Sequence, residues 1–416
     1  MKLLHFADLH LGIDNYGTQD AATGVSSRSL DFLRALDAII ARAIDEPADA
    51  VLFAGDMFKN RDPNPTLQRE LARRIARLVQ AGVPIVLLVG NHDLPGAIGR
   101  ATAADIYEAL NIQGVHVIRN PGAVRVETAS GPLQIVGVPW ITRSTALVQE
   151  AFRALGDVDL DEAIRAGISN QVRTLAREFD PDVPAVLLAH VSLQGADFGL
   201  ERALMLGGDV TVGSDDLSAS AFDYVALGHI HKHQSLGIRP PVVYAGSPER
   251  IDFGEEGEPK GYVWVKIEEA DGGRKTTWEF VELPARRFET LRIDATGDEP
   301  EVSIEREVEA RAERIRGAVV RLFITVDSEH ENEVSAGRIR RLLAEHGPFA
   351  VAGIKIESEE ERRARLELNL DEALDQSAML ARWIESRSYD AERAKMIRRL
   401  GDELILRMRD EATDGG

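Results

Sequence analysis

Short apolar runs alternate with amphipathic stretches along the first two thirds of the chain, and this pattern predicts a layered α/β fold. The runs Leu3–Ala7, Ala50–Ala54, Ile85–Val89, Gln134–Val138, Ala185–Ala189, Tyr224–Leu227, Val242–Ala245 and Tyr262–Ile267 read as strands. Between them, helical spacing of apolar residues predicts helices at about Ser26–Asp45, Pro65–Ala81, Ala101–Leu110 and Leu160–Phe179. The pattern changes near Pro284. Arg287–Ile293, Ala318–Val326 and Phe349–Ile356 read as strands, with helices at Val302–Arg316 and Glu331–His346, which makes a small α+β unit. Past Glu359, a strand-like alternation at Leu366, Leu368 and Leu370 leads into an amphipathic helix pair, Asp371–Glu385 and Asp390–Arg409. No fixed-period repeat and no low-complexity segment interrupts this order.

Composition adds limits. The chain has 416 residues, 44% hydrophobic and 28% charged, which describes a globular protein with ample core and rules out disorder. At roughly 100–200 residues per domain this predicts two to four domains. No apolar run approaches the roughly 20 residues that span a bilayer. Lys and Arg number 49 against 69 Asp and Glu, a net charge of −20. That balance argues against a free-standing duplex binder, whose footprint is basic. From Ile251 onward there are 27 basic and 39 acidic side chains, so the later segments carry −12 of the total. Cysteine is absent, which excludes disulfides, thiolate zinc sites, iron–sulfur clusters and thiol nucleophiles. With only Leu3–Ala7 apolar before Asp8, the start reads as no secretion signal, and a cytoplasmic setting is expected.

Several strand runs are followed at once by residues that bind metals. Asp8-Leu9-His10 follows the first, Gly55-Asp56 the second and Gly90-Asn91-His92-Asp93 the third; His190 follows Val186–Ala189, and Gly228-His229-Ile230-His231 follows Tyr224–Leu227. Sites of α/β sheets sit outside the carboxyl ends of strands. Two residues apart at a strand end, Asp8 and His10 are expected to face the same crevice, as are His229 and His231. Taken singly, a Gly-Asp pair is a turn and a lone His a core residue; five such clusters in order, all at strand ends, point to a metal site. Imidazole and carboxylate donors without thiolate suit manganese, iron or zinc. A pair of divalent ions is the usual device for hydrolysing phosphate esters, and Asp56 has the carboxylate to bridge them. His5, His116, His233, His330 and His346 have no such setting and read as structural or surface residues.

The ordered clusters D-x-H, G-D, G-N-H-D, H and G-H-x-H resemble the calcineurin-like metallophosphoesterase superfamily. Within it the chain is most similar to the SbcD family, the nuclease subunits of DNA-repair exonucleases. The stretches "FADLHLG" (Phe6–Gly12), "FAGDMF" (Phe53–Phe58), "VGNHD" (Val89–Asp93), "FDYVALGHIHKHQ" (Phe222–Gln234) and "VYAGSPERIDFGE" (Val243–Glu255) carry this resemblance, and "RRFETLRID" (Arg286–Asp294) extends it weakly. The resemblance implies a four-layer α-β-β-α core over residues 1–283, a small α+β capping domain over 284–365 and C-terminal helices over 366–416 that dock an ATPase subunit. It implies one ion held by Asp8, His10, Asp56 and His231, a second held by Asp56, Asn91, His190 and His229, and manganese as the usual metal. It places His92 over the scissile phosphate, where it stabilises charge or protonates the leaving oxygen. Asp93 would orient His92 through a carboxylate–imidazole hydrogen bond, or would simply be a turn carboxylate.

As partners it implies DNA, the SMC-like ATPase SbcC, and a homodimer within a heterotetramer, with helices flanking Gly90–Asp93 in the dimer contact. No residue is assigned to DNA contact. Arg69, Arg73, Arg74 and Arg77 are the one basic stretch and either face phosphate or make a solvated helix face. The chain lacks a G-x-x-x-x-G-K-S/T loop, so ATP dependence would come from a partner. The expected function is a metal-dependent DNA nuclease, exonuclease on duplex ends and endonuclease on single strands, in double-strand-break repair. The competing readings are a stand-alone small-molecule phosphodiesterase or phosphatase, which would not need the segments after Pro284, and a non-catalytic DNA-end scaffold, which would have lost a ligand or His92.

Overall fold

The computed structural model describes residues 1–95, 100–141, 157–199, 210–213, 217, 221–331, 333–360, 380, 384 and 393–402. By contacts the chain divides into two units, Met1–Glu289 with Gly317–Val319, and Thr290–Arg316 with Val320–Gly416.

The first unit contains two six-stranded sheets. One runs β14-β13-β1-β2-β3-β4. Its parallel strands are β1 (Lys2–Phe6), β2 (Ala50–Phe53), β3 (Ile85–Leu88) and β4 (Val115–Ile118), extended by the antiparallel β13 (Gly261–Ala270) and β14 (Gly273–Glu282). The other runs β11-β12-β10-β7-β6-β5. It is built from β5 (Gly122–Thr128), β6 (Gly131–Val138), β7 (Ala185–His190), β10 (Tyr224–Gly228), β11 (Gln234–Ile238) and β12 (Pro241–Tyr244). Two short strands, β8 (Ser192–Leu193) and β9 (Thr211–Val212), pair with each other.

Strand periodicity explains the layering. In β1 and β2, Leu3, Ala50 and Leu52 turn inward and share one apolar cluster with Ile135, Val186, Leu188 and Ala226 of the second sheet. The alternate residues Leu4, Phe6, Val51 and Phe53 pack outward against helices. Val136, Leu187 and Val225 face outward on the second sheet. Strands buried on both faces read as continuous apolar runs, which is why they are legible in the sequence. The outer layer on the first sheet is α1 (Ser27–Asp45) and α2 (Pro65–Gln80). Ser26 caps α1 by accepting from the Ser29 N–H, and Phe32, Leu36, Ile39 and Ala43 supply the buried stripe. Asn64 caps α2 with Pro65 at its first position. The short α3 (Asp105–Ala109) follows, and α4 (Asp157–Arg177) covers the second sheet, burying Ile164, Ile168 and Val172. The four-layer α-β-β-α arrangement is therefore present.

Every strand expected within the described residues is present. Those the pattern missed are β4, β5, β11 and β14, edge strands with mostly exposed or half-buried side chains, and the two-residue β8 and β9. An edge strand has one solvated face and a weak apolar signal. The helix expected over Ala101–Leu110 is only one turn long. The second unit holds a three-stranded sheet, β15-β16-β17 (Phe288–Asp294, Val319–Val326, Ala350–Ser358). Its helices are α5 (Pro300–Glu309), α6 (Ala312–Ile315) and α7 (Ala336–Glu345). The single helix expected over Val302–Arg316 is thus broken into α5 and α6. The alternation at Leu366–Leu370 and most of the expected terminal helix pair lie outside the described residues; 393–402 are helical. Among the described residues no helix is long and apolar enough to cross a membrane.

Candidate metal centre

The carboxyl ends of the two sheets meet. Register sets this up: Phe6 pairs with Phe53 across β1 and β2, and Gly228 pairs with His190 across β10 and β7. The pairing then continues past the strands. Asp8 N–H donates to the Gly55 carbonyl and His10 N–H to the Asp56 carbonyl, both at 3.0 Å. At Gly228 a Cβ would lie 2.1 Å from the Ala54 carbonyl oxygen, so only glycine lets the second sheet approach the first this closely.

The expectation that alternation along a strand aims these side chains was wrong in its cause. β1 ends at Phe6, and Asp8 (φ 53°), His10 (φ 44°) and Asp56 (φ 57°) are left-handed residues in the loops beyond. His229 also has positive φ, 101°. Each such non-glycine residue costs about 1–3 kcal/mol and persists only where its surroundings fix it. Here the backbone bonds between loops, and the two bonds from the His229 N–H to the Asp8 carboxylate at 3.0 and 3.1 Å, do so.

All seven candidate ligands come together. The Nε2 atoms of His10 and His231 are 2.9 Å apart. Asp56 Oδ2 lies 3.6 Å from His10 Nε2 and 3.4 Å from His190 Nε2. Asn91 Oδ1 lies 2.9 Å from His190 Nε2 and 3.2 Å from His229 Nδ1. Ligand-type atoms of Asp8, His10 and His231, of His10, Asp56 and His92, and of Asp8, Asp56 and His190 form sets within 4.8 Å. Asp8, His10, Asp56, His190 and His229 are buried, whereas His92 is exposed.

This donor set fits cations. His190 Nδ1 lies 2.7 Å from the Ala54 carbonyl oxygen, which can only accept, so Nδ1 carries the hydrogen. When the ring is neutral, as a ligand must be, its Nε2 lone pair faces two oxygens, Asn91 Oδ1 and Asp56 Oδ2, and a proton fills that place when no ion does. His10 and His231 likewise set two imidazole nitrogens against each other. Without metal an N–H···N bond or a ring proton holds such groups together, and a divalent ion can replace that proton.

The titration behaviour follows from the same crowding. Burial works against a charged His190, but Asp56 and Asp8 outweigh it and raise its pKa to about 9. Burial opposes the ionised Asp56 too, yet His190, His10 and His92 hold its carboxyl well below the usual range. Burial raises Asp8 to about 6, against His190 and His231. His10 is driven well below the ordinary histidine value, by burial first.

Of the two roles expected for Asp93, orienting His92 is not what its geometry shows, and the turn carboxylate is. Its carboxylate accepts from the backbone N–H groups of Met57, Phe58 and Gly90, and His92 Nδ1 instead lies 2.9 Å from the Lys59 carbonyl oxygen. Asp93 thus ties the Gly90–Asp93 turn to the loop after β2. Buried beside Asp56, its pKa rises to about 7.

Three further residues escaped the sequence reading. Trp140 tilts over the His229 ring at 4.5 Å, with its backbone N–H donating to the Val89 carbonyl. It too follows a strand, but Pro139-Trp140 offers no ligand. Glu255 Oε1 lies 2.8 Å from His231 Nδ1, and Lys260 Nζ lies 2.7 Å from Glu255 Oε2. Glu255 closes one of the stretches that carry the resemblance; nothing in the sequence singled out Lys260. His5 is structural as expected, buried between the Tyr224 hydroxyl and the Leu227 carbonyl. The four arginines of α2 are all paired within the chain: Arg69, Arg73 and Arg74 with Glu70, and Arg74 and Arg77 with Asp37.

This fold and donor cluster define a phosphoester hydrolase of a divalent-metal-dependent class. The chain belongs to the calcineurin-like phosphoesterase family, whose model matches residues 1–233. Its sequence is similar to the SbcD subunit of the nuclease SbcCD of Bacillus subtilis (strain 168), 31% identical over 294 residues, 68% of this chain and 70% of that protein. Among solved structures, a dimetal phosphatase from Danio rerio is 10% identical, with a TM-score of 0.36 over 67% of this chain and 98% of that one. TT1561 of Thermus thermophilus is 13% identical, with a TM-score of 0.33 over 66% of this chain and 97% of that one.

Proposed function

We propose that the chain is a DNA nuclease that hydrolyses phosphodiesters at DNA ends during double-strand-break repair, as the nuclease subunit of a complex with an SMC-like ATPase of the SbcC kind. The observation that carries this reading is the convergence of Asp8, His10, Asp56, Asn91, His190, His229 and His231 on one crevice in a chain 31% identical to an SbcCD nuclease subunit. Asp8, His10, Asp56 and His231 would hold one divalent ion, and Asp56, Asn91, His190 and His229 a second, with Asp56 shared and Mn2+ the expected metal. When bound, such ions supply Lewis acidity toward the phosphoryl oxygens and a more acidic attacking water.

The chain's own part is orientation and proton handling. His92 Nδ1 is turned to the Lys59 carbonyl, which leaves Nε2 on the exposed side to meet substrate. From there it would stabilise the developing negative charge or protonate the leaving oxygen. The His92 backbone N–H donates to Asp56 Oδ1 at 2.8 Å, so this residue and the carboxylate proposed as shared are held in one geometry. Trp140 packs beside His229 and His190.

Residues 284–365 would serve as a cap that contacts the duplex, and 366–416 as the ATPase docking region, in a homodimeric assembly in the cytoplasm. Arg69, Arg73, Arg74 and Arg77 share only two carboxylates, Glu70 and Asp37, in weak surface pairs, so this basic stretch would still be open to phosphate or would serve as a solvated helix face. With a charge of −20, DNA affinity of the chain alone is expected to be weak and salt-sensitive. The test is a Mn2+-dependent nuclease assay with and without a co-expressed SbcC-type ATPase. Degradation of duplex ends, stimulated by ATP and the partner, is expected; cleavage of small phosphoesters alone would replace this reading with a stand-alone phosphatase.

A further inference from the structure

His231 is held from two directions by residues outside the donor set. Its ring Nδ1 is 2.8 Å from Glu255 Oε1, and an ionised carboxylate can only accept, so Nδ1 carries the hydrogen. Glu255 is itself fixed: its Oε2 takes the Ile251 N–H at 2.9 Å and the Lys260 ammonium at 2.7 Å. Lys260, 1% exposed, turns back to the same histidine and donates to the His231 backbone carbonyl at 3.1 Å and to Ser247 Oγ at 2.9 Å. The Ser247 N–H bonds to that carbonyl at 3.0 Å as well. A ring therefore closes from the imidazole through Glu255 and Lys260 to the main chain of His231. Glu255 lies in the turn Phe253–Glu255 and Lys260 just ahead of β13, so the loop between β12 and β13 grips a residue that follows β10.

We infer that Glu255 and Lys260 are positioning residues for His231. They fix its ring as the Nδ1–H form and aim Nε2 at the position shared with Asp8 and His10. This rests on the metal-centre reading above. A carboxylate behind a ligating imidazole sets the tautomer and makes the ring a stronger donor, and losing such support costs about 10–100-fold in metal affinity or activity. Lys260 also pairs with Glu258 Oε2 at 2.9 Å, so replacing Glu255 alone would let the buried ammonium turn fully to Glu258 and shift the His231 carbonyl it holds; the informative variants therefore replace Glu255 and Lys260 together.

The experiment titrates full-length chain with Mn2+ by calorimetry and records 15N–1H spectra of the histidine rings before metal is added. Glu255→Ala with Lys260→Met is expected to weaken one Mn2+ position about 10–100-fold and to populate the Nε2–H form of His231. Glu255→Gln with Lys260→Met restores an acceptor for Nδ1 without the charge, and is expected to recover affinity and tautomer to within a few-fold of the parent. Equal affinities in the two double variants would overturn the inference, because packing rather than the acceptor would then be what matters. If the alanine variant does not fold, the unmutated chain decides: His231 protonated on Nε2 overturns the assignment. A parent chain that takes up no Mn2+ sinks the metal-centre reading itself. A parent that binds, with variants that bind equally, sinks only the role of Glu255 and Lys260.

Discussion

Asp93 follows His92 in the chain, yet its carboxylate holds the backbone of Gly90, Met57 and Phe58 while the His92 ring turns to the Lys59 carbonyl. The two neighbours therefore separate in function. His92→Ala keeps the backbone N–H that bonds to Asp56 and removes a ring that packs edge-on against His10 without belonging to the donor set, so uptake of Mn2+ and DNA should persist. Cleavage should fall by about 10²–10⁴-fold, the usual contribution of a positioned acid or base. Single-turnover cleavage beside a metal titration measures both; parental cleavage by the variant would remove His92 from the chemistry. Asp93→Ala is expected to behave otherwise. It strips acceptors from three backbone N–H groups, at about 1–3 kcal/mol for each left buried and unpaired, and should lower thermal stability as well as activity.

Asp56 lies 3.6 Å from His10 and 3.4 Å from His190, between the two halves of the donor set. Asp56→Asn keeps the shape and halves the acceptor capacity. Both metal positions should weaken together, by at least the roughly 10-fold that loss of a supporting residue costs. Metal analysis after dialysis against limiting Mn2+ would show it. A variant that retains two ions per chain would rule out a shared carboxylate.

A Cβ on Gly90 would lie 2.2 Å from Asp56 Oδ1 and 2.4 Å from the Asp56 backbone nitrogen. Neither can retreat, because Asp56 is fixed by its own left-handed backbone and by the loop pairing around it. Gly90→Ala should therefore cost about 1–3 kcal/mol of stability, as overpacking does, and should displace Asp56 enough to reduce Mn2+ affinity. Chemical denaturation and a metal titration check the pair of effects. Parental values for both would mean that the turn has more room than the geometry allows.

His5 is buried, and burial drives its pKa down to about 3. Below its unfolded value of about 6.5 the unfolded chain binds the proton and the folded chain does not. Its contribution is therefore complete above pH 6.5 and is lost progressively as pH falls toward 3, on the order of a few kcal/mol across the window. His5→Leu should be less stable than the parent at pH 7.5, since the Tyr224 hydroxyl and Leu227 carbonyl lose a partner. The gap between the two proteins should then narrow on acidification. Denaturation at a series of pH values without metal measures that difference, in which the other titrating groups cancel. A gap that stays constant from pH 7.5 to 4 would contradict the buried neutral state of His5.

The sequence by itself determined the sheets' central strands and the identity of the converging donors. Strands buried on both faces leave unbroken apolar runs, and a glycine-flanked Asp, Asn or His at the end of such a run is a local signal. Edge strands such as β14, half solvated along their length, left no such trace. Only the tertiary structure decided how the donors are aimed and what stands behind them. The left-handed backbones at Asp8, His10 and Asp56, the diversion of Asp93 to backbone N–H groups, and the clasp of Glu255 and Lys260 on His231 all depend on partners brought together from separate strands and loops. Hydrophobic periodicity records which face of an element is buried. The choice of partner for a buried polar group is made by register and by the approach of one sheet to another, and neither is written in the residues beside it.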